Sequence, residues 1–390
     1  MKILGIVAEY DPFHNGHLYH IAESKKQAVP DLTYIVLSPC FKQRGSLALL
    51  SPSDRARCAL EAGADAVFCL PVCWTLRDAE HYALGAVSLL SGLGATHIAF
   101  GAETPDPELL VRAADLLENP PSRFDEILKQ RLAGGAGWPA AVSAALTDVL
   151  PGAAGLLDRP NNILAVCYLR ALRRLSLSLT PVVIRRSGSY HAASVVPEAP
   201  SASALREALI RGSYSQAFSA VPPYTAGILR RRFLDGRVPD SRILDALLLS
   251  KLRAMTEAEY RLLPDLSEGM ECVLQTAART AATREELIAS LTGKRYPSAR
   301  VSRLCACALL GLTSEQLSGA PLPENALLLG LRKNREMTSR WKDLPIPMIA
   351  SFTEWKKAAY PADAAAWSLW AQCCRLPDTL PLTEQIITVE

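Results

Sequence analysis

Residues 3–17 read Ile3-Leu4-Gly5-Ile6-Val7-Ala8-Glu9-Tyr10-Asp11-Pro12-Phe13-His14-Asn15-Gly16-His17, and this stretch decides the fold. The apolar run Ile3–Ala8 predicts a buried strand. Asp11-Pro12 turns the chain sharply out of the sheet. His14 and His17 then flank Gly16 at the mouth of a helix expected from about Gly16 to Gln27. A spacing of three puts both imidazoles on one side of the first turn. Gly16 has no side chain, so a ligand can approach the backbone there. Free N–H groups and the positive end of the helix dipole predict an anion site. Two imidazoles beside it can donate hydrogen bonds to a phosphoryl group as charge builds on it. Elsewhere HxGH would read as two ordinary capping histidines; between a first strand and a first helix it reads as phosphate chemistry. His20, His81, His97 and His191 lack that context and are read as structural.

Outward from this turn, apolar runs alternate with helical patterns. Further strands are expected at Thr33–Ser38, Ala66–Leu70, Thr96–Phe100 and Val182–Arg185. Helices are expected at Ser53–Ala62, Arg77–Ser91, 107–118, 123–132, 138–149 and 161–175. The alternation implies an α/β fold, a Rossmann-like parallel sheet covered on both faces. Ligands of such sheets sit at the carboxyl ends of the strands. After about residue 197 the strand signal disappears and the pattern becomes helical. The boundary is placed in Val196-Pro197-Glu198-Ala199-Pro200. Residues 1–197 are then expected to form the α/β domain that carries the HxGH turn. Residues 198–390 are a mostly α-helical domain whose C-terminal end, with Trp341, Trp355, Trp367 and Trp370, packs on the body.

With 390 residues, 49% hydrophobic and 21% charged, the chain is neither disordered nor fibrous. A net charge of +3 excludes a uniformly basic coat. The excess is local: residues 201–340 carry 20 Lys/Arg against 14 Asp/Glu. The ten cysteines form no pair of CxxC knuckles, which argues against structural zinc and for buried thiols in a reducing cytosol. No signal peptide is visible. The uncharged stretch Tyr82–Ala102 reads better as a helix ending at Gly92 and a strand from Thr96 than as a membrane span.

The HxGH turn resembles that of the HxGH nucleotidyltransferase superfamily, relatives of class I aminoacyl-tRNA synthetases. Ser201-Ala202-Ser203-Ala204-Leu205-Arg206 is similar to that superfamily's second phosphate motif, of the type SSTxIR. Further segments, in order, resemble the bacterial tRNA(Met) cytidine acetate ligases. They are Gln43-Arg44-Gly45, Gly63-Ala64-Asp65-Ala66-Val67-Phe68, Phe100-Gly101-Ala102-Glu103 and Arg159-Pro160-Asn161-Asn162-Ile163-Leu164. Ile184-Arg185-Arg186, Gly188-Ser189-Tyr190-His191 and Leu266-Ser267-Glu268-Gly269-Met270-Glu271 complete the set.

The resemblance implies that acetate attacks the α-phosphate of ATP to give acetyl-adenylate and pyrophosphate. The acetyl group then passes to N4 of the wobble cytidine of elongator tRNA(Met). It implies a catalytic pair, His14 and His17, and an ATP site. That site comprises Ile6, Val7, Ala8, Glu9, Tyr10, Asp11, Pro12, Phe13, His14, Asn15, Gly16, His17, Leu18 and Tyr19. Gly101, Asn162, Arg185, Arg186, Ser203 and Arg206 complete it. Gly101 is expected to let backbone lie against an adenine or ribose, and Asn162 to offer its amide. Arg186 supplies a planar cation for phosphate. ATP chemistry implies Mg²⁺, but no carboxylate cluster identifies protein ligands for a metal.

Three basic clusters in the second half suit a tRNA surface: Arg230-Arg231-Arg232, Lys294-Arg295 with Arg300 and Arg303, and Arg332-Lys333-Asn334-Arg335. Arg300 and Arg303 are expected to share one open helix face. The chain departs from the family pattern at Asp11, at Ser38-Pro39-Cys40-Phe41, at Cys69 and at Asp78-Ala79-Glu80. The loop and Cys69 departures are expected to alter the acyl pocket or the tRNA contact. Alternatives are a nucleotidyltransferase that adenylates a small metabolite, or a catalytically impaired ATP- and tRNA-binding relative. The expected setting is the cytoplasm, without membrane contact.

Overall fold

The computed structural model describes residues 1–104, 106–186, 200–267, 269–351, 353–354, 361–377 and 386–390. In chain order the first half runs β1 (Ile3–Ala8), α1 (Asn15–Ala28), β2 (Leu32–Leu37), α2 (Pro52–Glu61), β3 (Ala66–Cys69), α3 (Val72–Thr75) and α4 (Ala79–Gly92). It continues with β4 (His97–Ala102), α5 (Pro107–Glu118), α6 (Ser122–Ala133), α7 (Trp138–Val149), α8 (Pro160–Arg174) and β5 (Thr180–Arg185). These five strands are parallel, in the order β5-β4-β1-β2-β3. Strand order therefore reverses between β1 and β4, which opens a crevice at their carboxyl ends. The turn after β1 lies there because of this topology.

Then come α9 (Ala202–Ile210), α10 (Tyr214–Ser219), α11 (Pro223–Leu234), α12 (Ser241–Ala254), α13 (Glu257–Arg261), α14 (Met270–Thr280), α15 (Arg284–Leu291), α16 (Ser298–Leu310) and α17 (Ser314–Ser318). The chain ends with β6 (Ala326–Arg332), α18 (Arg335–Arg340), β7 (Met348–Ile349), α19 (Pro361–Cys373) and β8 (Ile387–Val389).

The strand signal does not end at residue 197. β6 pairs antiparallel with β3, and β7 and β8 pair with β6, so the sheet has eight strands. Ala326-Leu327-Leu328-Leu329-Gly330-Leu331-Arg332 hides this. Leucine is a good helix former, the run does not alternate, and its partner lies about 260 residues earlier. Long-range pairing overrides local preference. α19 also lies in a tail that shows no sequence pattern. The boundary segment up to Ala199, the GxYH turn at 188–191, Glu268 and Trp355 fall outside the described residues.

Alternating strand residues build two cores. Leu4, Ile6, Ile35 and Leu37 pack with α1, α2, α9, α11 and α19 on one face. Ile3, Tyr34, Val36, Phe68 and Ile98 pack with α4, α5 and α8 on the other. A third core, with Leu252, Tyr260, Leu274, Leu287 and Val301, holds α12 to α16 together. Eight of the ten cysteines are buried and all are free thiols. No helix among the described residues is long and apolar enough to cross a membrane.

Asp363 anchors α19 to the end of β3. It is fully buried, and its Oδ1 accepts the Val72 N–H at 2.8 Å while Oδ2 has no partner. Burial pushes this carboxyl up to about 8, with the Val72 bond opposing. Unfolded, it ionises near the usual value of about 4. Between those limits the folded chain keeps a proton that the unfolded chain has lost. Stability therefore falls as pH rises, by at most about 1.4 kcal/mol per unit from this group, and the loss is complete above about pH 8. Asp363→Asn removes that slope. Between pH 5.5 and 8 the parent should lose a few degrees of Tm more than the variant; equal losses would contradict the assignment.

Candidate active site

The turn after β1 is closed by its own histidines. His14 is the N-cap of α1, and its Nδ1 accepts the Gly16 N–H at 3.1 Å. His17 Nδ1 accepts the His14 N–H at 3.3 Å. This reciprocal pair does with imidazoles what a capping box does with Ser and Glu. The rings stack, with centroids 3.6 Å apart. Tyr10 and Phe13 set their rings against His17 at 4.9 and 5.6 Å. Tyr10 holds the turn in a left-handed conformation (φ 49°), and Asp11-Pro12 is cis.

The cap fixes the protons. A nitrogen that accepts a backbone N–H carries no hydrogen, so each neutral ring bears its proton on Nε2. His14 is only 1% exposed, and burial, then Arg186 and Arg206, push its imidazolium down to about 3. Burial, then His14 and Arg186, hold His17 well below its usual value. Burial first and Arg186 second bring His20 down to about 4. Both HxGH rings are thus neutral Nε2–H donors.

The expected anion site of free amides is not present. Besides the two N–H groups bound to imidazoles, Asn15 N–H donates to Ala220 O at 3.0 Å and His17 N–H to His14 O at 2.8 Å. The first turn of α1 has spent these donors internally. What remains to meet an anion is the pair of Nε2–H groups and the surrounding guanidinium ions.

Those cations come from separate elements. Ser201 caps α9, with its Oγ accepting Ala204 N–H at 3.2 Å, and exposed Ser203 lies beside it. Arg206, one turn on, donates to Asp11 O at 2.5 Å and reaches Asp11 Oδ2 at 3.5 Å. A Cβ at Gly16 would be crowded by the His14 ring at 3.0 Å and would lie in ordinary contact, 4.0 Å, with Pro200 O. The two expected phosphate motifs therefore meet. Buried Asp11 pairs with Lys42 at 2.8 Å and accepts Leu49 N–H at 2.6 Å. Burial works to raise its carboxyl, but Lys42, Arg206 and Arg55 together hold it below the usual range.

Two expected nucleotide contacts, Gly101 and Asn162, are engaged by other parts of the chain. A Cβ at Gly101 would lie 2.9 Å from the Arg186 stem, so this glycine makes room for the arginine rather than for an open base or ribose surface. Asn162 is fully buried. Its Oδ1 accepts the N–H groups of Glu103 and Thr104 at 3.0 Å, and its Nδ2 donates to Thr104 Oγ1 and Leu156 O. Its amide is therefore used up in shaping the loop after β4. Asn161 instead faces the site: its Oδ1 accepts from Arg186 at 3.2 Å, while its Nδ2 donates to Glu103 at 2.6 Å. Arg185 is exposed. Of the remaining residues, Ile6, Ala8, Pro12 and Phe13 are buried, Val7, Glu9, Asn15 and Leu18 are half-buried, and Tyr19 is 52% exposed.

Sequence reading missed Lys42, Asn161 and Arg55. Arg55 is fully buried and donates to four carbonyls: Leu50, Glu9, Ser38 and Pro39. It binds the loop after β1 to the loop after β2. The departures at Pro39, Cys40 and Cys69 lie around it, with Cys40 and Cys69 both buried in the core. Neither thiol lines an open pocket wall. A lysine just before Gln43-Arg44-Gly45 was the available signal; Arg55, one of four charged residues in α2, offered none.

The basic clusters divide. Arg230 and Arg231 are exposed, Arg230 lying 5.4 Å over the Phe218 ring. Arg232 forms a bidentate pair with buried Asp54 at 2.7 and 2.9 Å. Lys294 and Arg295 are exposed. Arg300 packs over Tyr296 at 4.5 Å and donates to Asp265 O at 2.5 Å. Arg303 is 9% exposed, so the two do not form an open basic face: the Gly45 turn packs directly on the 302–303 backbone. Arg332 and Lys333 hold the C-terminal Glu390, and Asn334 caps α18. No group of three or more potential metal ligands occurs among the described residues.

The model of the HIGH Nucleotidyl Transferase family matches residues 1–378. A tRNA(Met) cytidine acetate ligase of Acetivibrio thermocellus is 34% identical over 97% of this chain and 96% of its own. That of Syntrophomonas wolfei is 37% identical over 81% and 78%. Thermotoga maritima TmcAL superposes with a TM-score of 0.93 in its apo form, at 27% identity, covering both chains fully. Its complex with alpha-thio ATP gives 0.91 at 26% identity, also over both whole chains.

The cap makes a spectroscopic prediction. Nitrogen NMR of the histidine rings should show His14 and His17 as Nε2–H tautomers that do not titrate between pH 8 and about 5, because protonating Nδ1 would break the cap. An ordinary titration near 6.5 would refute the geometry.

Proposed function

The chain belongs to the tRNA(Met) cytidine acetate ligase family of HIGH nucleotidyl transferases, and we propose that it joins acetate to the wobble cytidine of elongator tRNA(Met) with ATP. An acetate oxygen attacks the α-phosphorus, a P–O bond forms, and pyrophosphate leaves. The cytidine N4 amine then attacks the acetyl carbonyl carbon, AMP leaves, and the amine loses a proton to solvent. The capped HxGH turn is the observation that carries this reading. Two neutral Nε2–H donors stand at the crevice between β1 and β4, with Arg186 and Arg206 nearby. Such fixed donors stabilise charge that builds on the phosphoryl oxygens at no reorganisation cost. The remaining turn residues, from Ile6 to Tyr19, with Gly101, Arg185 and Ser203, form the walls, and Asn162 acts through the loop after β4.

Asp11 is committed to Lys42 and Arg206, and Glu9 accepts the Gln43 N–H at 2.7 Å. Among the described residues the turn therefore offers no carboxylate pair to a protein-held cation, and Mg²⁺ enters on the ATP phosphates. We divide the chain at 197 into a catalytic part and a tRNA-binding part, with β6 to β8 returning to the first. Arg230, Arg231, Lys294 and Arg295 meet tRNA phosphates. Arg232, Arg300 and Arg303 hold the fold. The setting is the cytoplasm, where the tRNA pool is.

Incubation with ATP, acetate and elongator tRNA(Met), followed by digestion to nucleosides, should yield N4-acetylcytidine. His14→Ala or His17→Ala should lower the rate about 10²–10³-fold. His14→Asn keeps an acceptor for the cap but loses the Nε2 donor, and should lose rate with little change in Tm. Near-normal turnover in the double alanine variant would end this reading. Failure with acetate and tRNA, together with transfer of the adenylyl group from ATP to a small metabolite and no release of AMP, would favour the small-metabolite reading.

Neighbouring arginines give a contrast. Arg231→Glu should weaken tRNA binding and reduce its salt dependence with Tm unchanged. Arg232→Glu should lower Tm by several degrees, because it leaves buried Asp54 facing a second carboxylate. Equal effects of the two would refute the division.

A further inference from the structure

Trp138 opens α7 with 62% of its surface exposed. Among the described residues it is the one tryptophan so placed; Trp74, Trp367 and Trp370 are buried. An indole is a large apolar surface that folding usually hides. A short turn holds it out. Ala136 N–H donates to Arg131 O at 3.1 Å, and Gly135 takes a positive φ of 82°, which glycine adopts freely. Gly137 then caps α7. This turn touches the second half of the chain, for a Cβ on Gly137 would lie 3.4 Å from Lys294 O.

The contact sets the Lys294 backbone against the residue that precedes Trp138, and Arg131 in the last turn of α6 and Arg295 beside Lys294 are, like Lys294, exposed. Gly293 N–H donates to Tyr296 O at 2.9 Å, closing that loop, and Arg300 covers the Tyr296 ring behind it. Around Trp138 the exposed chain is Gly134, Gly135, Pro139 and Ala140. A stable protein interface needs a broad apolar centre, which these residues do not supply. A lone aromatic face with a positive rim suits nucleic acid: every base has a π-face to stack, and the cations meet the phosphates on either side.

We infer that Trp138, Arg131, Lys294 and Arg295 form a tRNA docking surface on which an unpaired base stacks against the indole. The inference rests on the tRNA reading above and adds to it a place where the two halves of the chain grip the substrate together. Unpaired loop bases are the parts of a tRNA free to stack in this way.

The test compares Trp138→Ala, Trp138→Phe and the triple alanine variant of Arg131, Lys294 and Arg295 in the full chain. Trp138→Ala should weaken binding of elongator tRNA(Met) about ten-fold, and Trp138→Phe much less. The triple variant should flatten the salt dependence of binding by two to three units of slope, at about 0.9 per lost phosphate contact. Acetate-dependent ATP–pyrophosphate exchange and Tm should stay at parental values in both Trp138 variants. Parental tRNA affinity in Trp138→Ala overturns the inference. So does loss of exchange or Tm along with binding, which would make the indole structural, or a change only in the sedimentation of the free protein, which would make it a protein contact. If the parent binds tRNA but does not acetylate it, and Trp138→Ala still weakens binding, the reaction reading falls and the docking surface stands.

Discussion

A backbone N–H at the start of a helix needs an acceptor, and the rest of this site follows from which acceptors the first turn of α1 has. His14 and His17 supply Nδ1 to each other's turn, so neither ring can take a second proton without releasing an amide. Their protons are held on Nε2, their charge is held at zero, and their rings are held together at 3.6 Å. The same bonds use up the amides that would otherwise bind an anion. Recognition passes from the helix end to side chains, which is why the cations gather from α9, the end of β5 and the loop after β2. A pair of imidazolium ions in that company would be repelled by Arg186 and Arg206; neutral donors are not.

A second set of bonds keeps these loops in place. Arg55 makes no direct ion pair among the described residues; its donors go to four carbonyls at the ends of β1 and β2 and before α2. Glu9 then fixes Gln43, and the turn at Gly45 is gripped by Arg284, which donates to Gly45 O at 2.9 Å. A Cβ at Gly45 would clash with the 302–303 backbone at 2.5 Å. The loop that carries Lys42 to Asp11 is thus the same loop that rests on the helical half. Chemistry at the turn and the position of α16 share one short segment of backbone.

The sequence made the local parts of this picture readable. β1, the turn and α1 are adjacent in the chain, so Ile3–Ala8 followed by HxGH placed both the fold and the candidate site. The five parallel strands came from the same alternation. What escaped were pairings between distant segments. β6 is a run of leucines whose strand identity comes only from β3. Asn162 and Asn161 look equivalent, yet helix geometry turns one amide into a loop brace and the other toward Arg186. Arg303 sits at the same spacing as a surface arginine, but the Gly45 turn covers it. A charge count cannot separate Arg231 from Arg232; the buried Asp54 does.

The central claim is that an acetate oxygen becomes bonded to the α-phosphorus at the HxGH turn. Acetylation of elongator tRNA(Met) with ¹⁸O-labelled acetate tests it directly, by mass analysis of the AMP released. The account predicts one acetate oxygen in each AMP, carried there through the mixed anhydride. AMP free of label, or label recovered in inorganic phosphate, would contradict it.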